Sequence, residues 1–109
     1  YDCEQLETIK LHKGVTSIGV GAFEDCYNLK HINLHESSVE IIGGEAFYHC
    51  VSLKIVEFPP PLKRICGQAF AKCSSLIVIN LSKCPLLEVI DGCAFDGCTS
   101  LLAVYFPKS

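Results

Sequence analysis

The feature that most constrains this chain is a period. Cys3, Cys26, Cys50, Cys73 and Cys98 stand 23, 24, 23 and 25 residues apart. Three residues after each comes Leu6, Leu29, Leu53, Leu76 or Leu101, and three further on Ile9, Ile32, Val56, Ile79 or Val104. Two beyond that stands Leu11, Leu34, Phe58, Leu81 or Phe106, so the pattern C-x-x-L-x-x-I/V-x-L/F recurs without a gap. A second block precedes the last four of these cysteines: Ile18 to Ala22-Phe23, Ile42 to Ala46-Phe47, Ile65 to Ala69-Phe70 and Ile90 to Ala94-Phe95. Each of these isoleucines has an apolar residue three positions earlier: Val15, Val39, Leu62 and Leu87. A unit of this size cannot close a core alone, so neighbouring units must stack into a solenoid.

The spacing within a unit predicts its local structure. The last two apolar positions of each motif are two apart, as on one face of a strand. Parallel strands are expected near 29–34, 53–58, 76–81 and 101–106. Ala-Phe-x-x-Cys puts Phe and Cys three apart, as on one face of a helical turn. Each coil is therefore expected to run strand, bend, short extended piece, bend, helical turn. Phe23, Phe47, Phe70 and Phe95 should form one stacked row inside the convex side. The fold class is α/β, a single array of about four and a half coils over residues 1–109. Free-standing solenoids need polar caps on their terminal coils. Neither end carries one, which is the expectation for an excerpt of a longer array or a segment inside a larger complex.

The pattern C-x-x-L-x-x-I-x-L/F followed by V-x-x-I-G-x-x-A-F resembles the BspA-like (Treponema-type) leucine-rich repeats over essentially the whole chain. The resemblance implies a right-handed solenoid with a concave parallel sheet, a binding role, and a place at a microbial or protist cell surface. The chain departs from the family pattern at the strand exits. Pro follows the strand only after Phe58 and Phe106, and His12, His35 and Ser82 take the other places.

Half of the chain is apolar, 19% is charged and the formal net charge is -3. No basic stripe points to a nucleic acid, and no apolar run approaches the roughly 18 residues of a membrane span. No signal-peptide pattern is visible. The cysteines lack the short C-x-x-C spacing of a zinc site, no Gly-rich phosphate loop is present, and no histidine or aspartate stands in register to activate a thiol. Neither a cofactor, a metal nor enzymatic activity is expected. The five repeat cysteines read as a buried column of reduced thiols, since cysteine fills small apolar positions well and parallel Cβ vectors disfavour bridging. Cys66, Cys84 and Cys93 stand off that column. Cys84 should label first, and Cys66 and Cys93 either pair in an oxidising compartment or stay free. His12 and His35 should be neighbours, as a metal or pH-sensing pair or as plain surface residues. Asn80-Leu81-Ser82 is either a glycosylation sequon or a chance match.

The concave face is where variation leaves the core untouched, because alternate strand residues point outward. Coil by coil those positions read Glu7, Thr8, Lys10; Lys30, His31, Asn33; Lys54, Ile55, Glu57; Ile77, Val78, Asn80; Leu102, Ala103, Tyr105. The first two coils are polar and the last two largely apolar. A contiguous exposed apolar patch marks a contact surface, although β propensity alone also selects Ile and Val in strands. The expected partner is a protein. It should be held by Ile55, Ile77, Val78, Leu102 and Tyr105 and oriented by Lys30, His31 and Lys54. The alternative is a structural subunit fixed in an assembly through its ends and the same strip.

Overall fold

The computed structural model describes residues 3–108. Nine strands follow one another: β1 (Thr8–Lys10), β2 (Ser17–Ile18), β3 (His31–Asn33), β4 (Ile41–Ile42), β5 (Ile55–Glu57), β6 (Arg64–Ile65), β7 (Val78–Asn80), β8 (Val89–Ile90) and β9 (Ala103–Tyr105). The three-residue strands lie at the centres of the expected windows. All pairing is parallel and joins equivalent positions of successive coils. Ile9 pairs with Ile32 and Ile32 with Val56, while Ile18, Ile42, Ile65 and Ile90 align along the other wall. The even-numbered strands form one continuous sheet. The odd-numbered ones form a three-stranded sheet β1-β3-β5 and a pair β7-β9.

Strands β5 and β7 run side by side without a ladder. At the other strand exits the amides of Leu11, Leu34 and Leu81 donate to the carbonyls of Asn33, Glu57 and Tyr105 in the next coil. The gap falls where Phe58 leads into Pro59-Pro60-Pro61, a run with fixed φ and no N–H to donate.

The third wall of the solenoid is not helical. Among the described residues there is no helix, and the expected helical turns are replaced by pairs of β-turns. In coil two, Ala46 N–H donates to Gly43 O and Cys50 N–H to Phe47 O. The third residues of those turns, Glu45 and His49, have φ of 57° and 64°. Gln68 and Lys72 repeat this at 60° and 62°, and Gly21 and Asp25 at 66° and 61°. A positive φ at the third position is the mark of a type II turn, and it breaks helical propagation after every turn. The three-residue spacing of Phe and Cys fits either geometry. The amides that a helix would have used point instead to the next coil, with Phe23, Phe47 and Phe70 N–H donating to Ala46, Ala69 and Ala94 O at 2.7–2.8 Å.

The core is the column these walls enclose. Phe47 and Phe70 are fully buried, and the four-phenylalanine row stacks at centroid separations of 5.4, 5.2 and 5.5 Å. The thiols of Cys50, Cys73 and Cys98 each donate to the carbonyl of the preceding coil's phenylalanine, Phe23, Phe47 or Phe70, at 3.1–3.3 Å. That use of cysteine is more specific than filling space, because each thiol occupies a lone pair that the turn's own amide leaves unused.

Two cysteine expectations are corrected. Cys26 is not reduced: it is bonded to Cys3, their Cα atoms 5.3 Å apart. Coil-to-coil spacing on one column falls within bridging range despite the parallel side chains, and neither sulfur is committed to a phenylalanine carbonyl. Cys84 is not accessible: it is buried, its thiol donating to Pro59 O at 3.4 Å. It stands three residues past the strand-exit Leu81, as the buried Ser37 stands past Leu34, so it plugs the loop into the second sheet. Cys66 and Cys93 are both free. The pairing of Ile65 with Ile90 sets Cys66 beside Asp91, two residues short of Cys93.

Candidate functional site

Strand alternation puts Ile9, Ile32, Val56 and Ile79 inside and leaves their neighbours on the outer face of the odd-numbered strands. The pairings arrange that face in three rows. One holds Glu7, Lys30, Lys54, Ile77 and Leu102. The next holds Thr8, His31, Ile55, Val78 and Ala103, and the third Lys10, Asn33, Glu57, Asn80 and Tyr105. Ile55, Ile77, Val78, Leu102 and Tyr105 are all exposed, from 38% at Val78 to 83% at Leu102. Val78 pairs with Ala103 and Asn80 with Tyr105. Leu102 N–H donates to Ile77 O at 2.8 Å, so the apolar residues of coils three to five are neighbours in one strip.

The polar half of the face is occupied with itself. Lys30 Nζ lies 3.8 Å from Glu7 and Lys10 Nζ 3.6 Å from Glu36. His31 Nε2 sits 2.6 Å from a Glu57 carboxylate oxygen, reaching across one strand. Lys30 and His31 therefore stand on the same face as the strip but already hold carboxylates. Lys54 forms no ion pair among the described residues.

Asn33 and Asn80 end their strands in the same way. Each Oδ1 accepts the amide two residues on, His35 or Ser82, at 3.0 Å. Asn33 does this outside any sequon, so the fold alone accounts for Asn at this position. His12 and His35 do come together, lining an open groove of about 550 Å³ with Lys13, Glu36, Pro60 and Pro61. Among the described residues no three His, Cys, Asp or Glu side chains cluster as a metal site. Two further grooves lie around Val89 and Phe106, and around Gly67 and Cys93. None of these grooves is lined by Ile55, Ile77, Val78, Leu102 or Tyr105.

One cluster escapes sequence reasoning. On the turn wall His49 Nδ1 lies 3.2 Å from Asp25 Oδ1, the Tyr27 ring meets His49 edge-on at 5.4 Å, and Lys72 Nζ sits 5.9 Å over the Tyr48 ring. The signal was present, since Asp25, His49 and Lys72 share one repeat position two residues after the phenylalanines.

The thiols of Cys50, Cys73, Cys84 and Cys98 are chemically quiet. Burial pushes Cys50 up to about 12 and Cys84 up to about 11, and raises Cys73 and Cys98 as well. A thiol held protonated at neutral pH is a poor nucleophile. Cys93 alone of the free thiols is fully at the surface.

A family model described as a BspA type leucine rich repeat region, in six copies, matches residues 1–109. A leucine rich cell surface protein of Faecalibacterium prausnitzii A2-165 is 26% identical over the whole chain, with a TM-score of 0.63. This chain spans 34% of that protein's length. A leucine rich repeat protein of T. pallidum is 20% identical over 92% of this chain and 69% of its own, with a TM-score of 0.58, and shares the fold. No curated protein sequence matches the chain.

Proposed function

The chain belongs to the BspA-type leucine-rich repeat family, and from that premise we propose that it is a non-enzymatic protein-binding module whose contact surface is the outer face of the odd-numbered strands. The observation that carries this reading is the division of that face. Its polar half is paired internally, Lys30 with Glu7 and His31 with Glu57, while Ile55, Ile77, Val78, Leu102 and Tyr105 stand exposed together. Burying an aliphatic side chain is worth about 1.5–3 kcal/mol, against about 0–1 for a screened surface ion pair. Affinity therefore resides in the strip, and Lys54, the cation beside it that holds no carboxylate among the described residues, sets orientation and on-rate, with Lys30 and His31 at the rim. A contiguous exposed apolar strip suits contact with a macromolecule. The Cys3–Cys26 disulfide fits an oxidising compartment. Together with the likeness to a cell surface protein, it supports a place at the cell surface. Among the described residues no helix is long and apolar enough to cross a membrane.

The test is the double substitution Ile77→Asp and Leu102→Asp, assayed by capture from native extract beside a circular dichroism melt. Both side chains point outward, so the fold should persist and capture should be lost. A folded double variant that still captures the same proteins removes the strip from the site.

A further inference from the structure

We propose that the partner segment seated on the strip is an extended apolar peptide flanked by carboxylates. This rests on the strip being the binding surface and adds what kind of chain it selects. The charge that remains after internal pairing selects such a segment. The chain as a whole is negative, at -3, yet the surroundings of the strip are not. Between Cys73 and Leu87, and again from Gly97 to Lys108, there is no Asp or Glu; the only charged residues are Lys83 and Lys108.

Register places the cations at the two edges of the strip. Lys54 is in the row of Ile77 and Leu102, on the side where the chain enters the strands. Lys83 and Lys108 are equivalent to each other, two residues past Leu81 and Phe106, on the side where the chain leaves. In coil two that exit position is Glu36, which holds Lys10 and His12. Lys54 and Lys83 are exposed and form no ion pair among the described residues. Lys108 lines a groove that also contains Glu88, so the inference is placed on Lys54 and Lys83. The nearest carboxylate on the face itself, Glu57, is held by His31 at 2.6 Å. An apolar segment crossing the strip from entry side to exit side thus meets an unpaired cation at each edge, and like-charged segments are repelled.

The experiment uses two capped peptides with the same alternating Val-Thr core, one ending in Asp-Glu on both sides and one in Lys-Lys. Fluorescence anisotropy is recorded at low and high salt. The acidic peptide should bind about tenfold more tightly at low salt, where exposed charge pairs are least screened, and the difference should close at high salt. The double variant Lys54→Glu, Lys83→Glu should invert the preference. Equal affinities, a preference untouched by that variant, or no binding of either peptide at millimolar concentration would overturn the inference. So would strip-dependent binding of phosphatidylglycerol vesicles in place of the acidic peptide. A charge-neutral variant, Ile77→Ser with Leu102→Ser, separates this from the underlying reading. If it weakens both peptides while no charge preference exists, only the present inference fails. If it leaves acidic-peptide binding intact, the strip itself is not the surface.

Discussion

Replacing Phe70 by Ala should nearly unfold the array, whereas the same change at Phe23 should not. Phe70 is fully buried and touches three rings: Phe47 at 5.2 Å, Phe95 at 5.5 Å and Phe58 edge-on at 5.8 Å. Truncating a buried phenylalanine costs about 3–5 kcal/mol, combining lost transfer energy with an unfilled cavity. Each aromatic pair is worth about 0.5–1.5 kcal/mol beyond area, so losing three places Phe70 at the top of that range. Its amide also donates to Ala94 O at 2.8 Å, and this backbone bond is retained in the variant. Phe23 is only part-buried and stacks on one ring, Phe47, at 5.4 Å. Its loss should cost roughly half as much. Total stability in small domains is about 5–15 kcal/mol, so Phe70→Ala, at about 5 kcal/mol, should lower the melting temperature by roughly 20–25 °C. Urea unfolding followed by circular dichroism measures both variants. Equal destabilisation by the two, or a loss below about 1 kcal/mol at Phe70, would refute the claim that the phenylalanine row carries the core.

Three further outcomes follow from the same structure. A thiol reagent under native conditions should label Cys93 first, Cys66 more slowly, and Cys50, Cys73 and Cys84 only on unfolding; mass spectrometry of the labelled peptides reports the order. Raising the pH should destabilise the fold, because burial lifts Cys50 from an ordinary 9.0 to about 12 and Cys84 to about 11. The native state then holds protons that the unfolded chain releases. The thiol contribution is complete below about pH 9 and is lost as pH climbs through the folded-state values, so urea midpoints between pH 8 and 11 should fall, and a flat profile contradicts the buried column. Gly43→Ala should be costly, since its Cβ would lie 2.6 Å from Ile18 O and 2.9 Å from Val20 N, both backbone atoms of the adjoining coil. Gly67→Ala, with nothing within 4 Å, should stay within about 0.5 kcal/mol of the parent in the same urea titration.

The parts legible in the sequence were those fixed by period. Ile32, Val56 and Ile79 recur at one register, and the phenylalanines at another, so strand centres, core row and outer face follow from alternation and stacking alone. The turn wall was not legible in the same way. A Phe–Cys spacing of three satisfies a helical turn and an i→i+3 β-turn equally, and the difference lies in the sign of φ. One clue existed: Gly21 stands in the column of Glu45 and Gln68, where only Cys93 keeps a negative φ, and Gly97 in that of Asp25, His49 and Lys72. Residues with side chains pay strain there, so a lone glycine in each column marks a left-handed position. The disulfide is not legible in the repeat because parallel side chains on one column argue against bridging, whereas the 5.3 Å Cα separation at Cys3 and Cys26 permits it. Cys84 was missed because its loop is longer than the others, which removed it from the repeat register, and only its equivalence to Ser37 reveals the plug. The outward residues carry no period, and the recognition role proposed for them rests on which charges the fold pairs internally, which repeat spacing does not reveal.

The most direct measurement of the central claim is hydroxyl-radical footprinting of the chain with and without its captured partner. Leu102 and Val20 are matched probes, 83% and 79% exposed aliphatics on different walls of the solenoid. Binding through the strip predicts that Leu102, Tyr105 and Ile77 lose reactivity in the complex while Val20 and Tyr27 keep theirs. Unchanged reactivity at Leu102 and Ile77, with protection at Val20 or Tyr27, would contradict it.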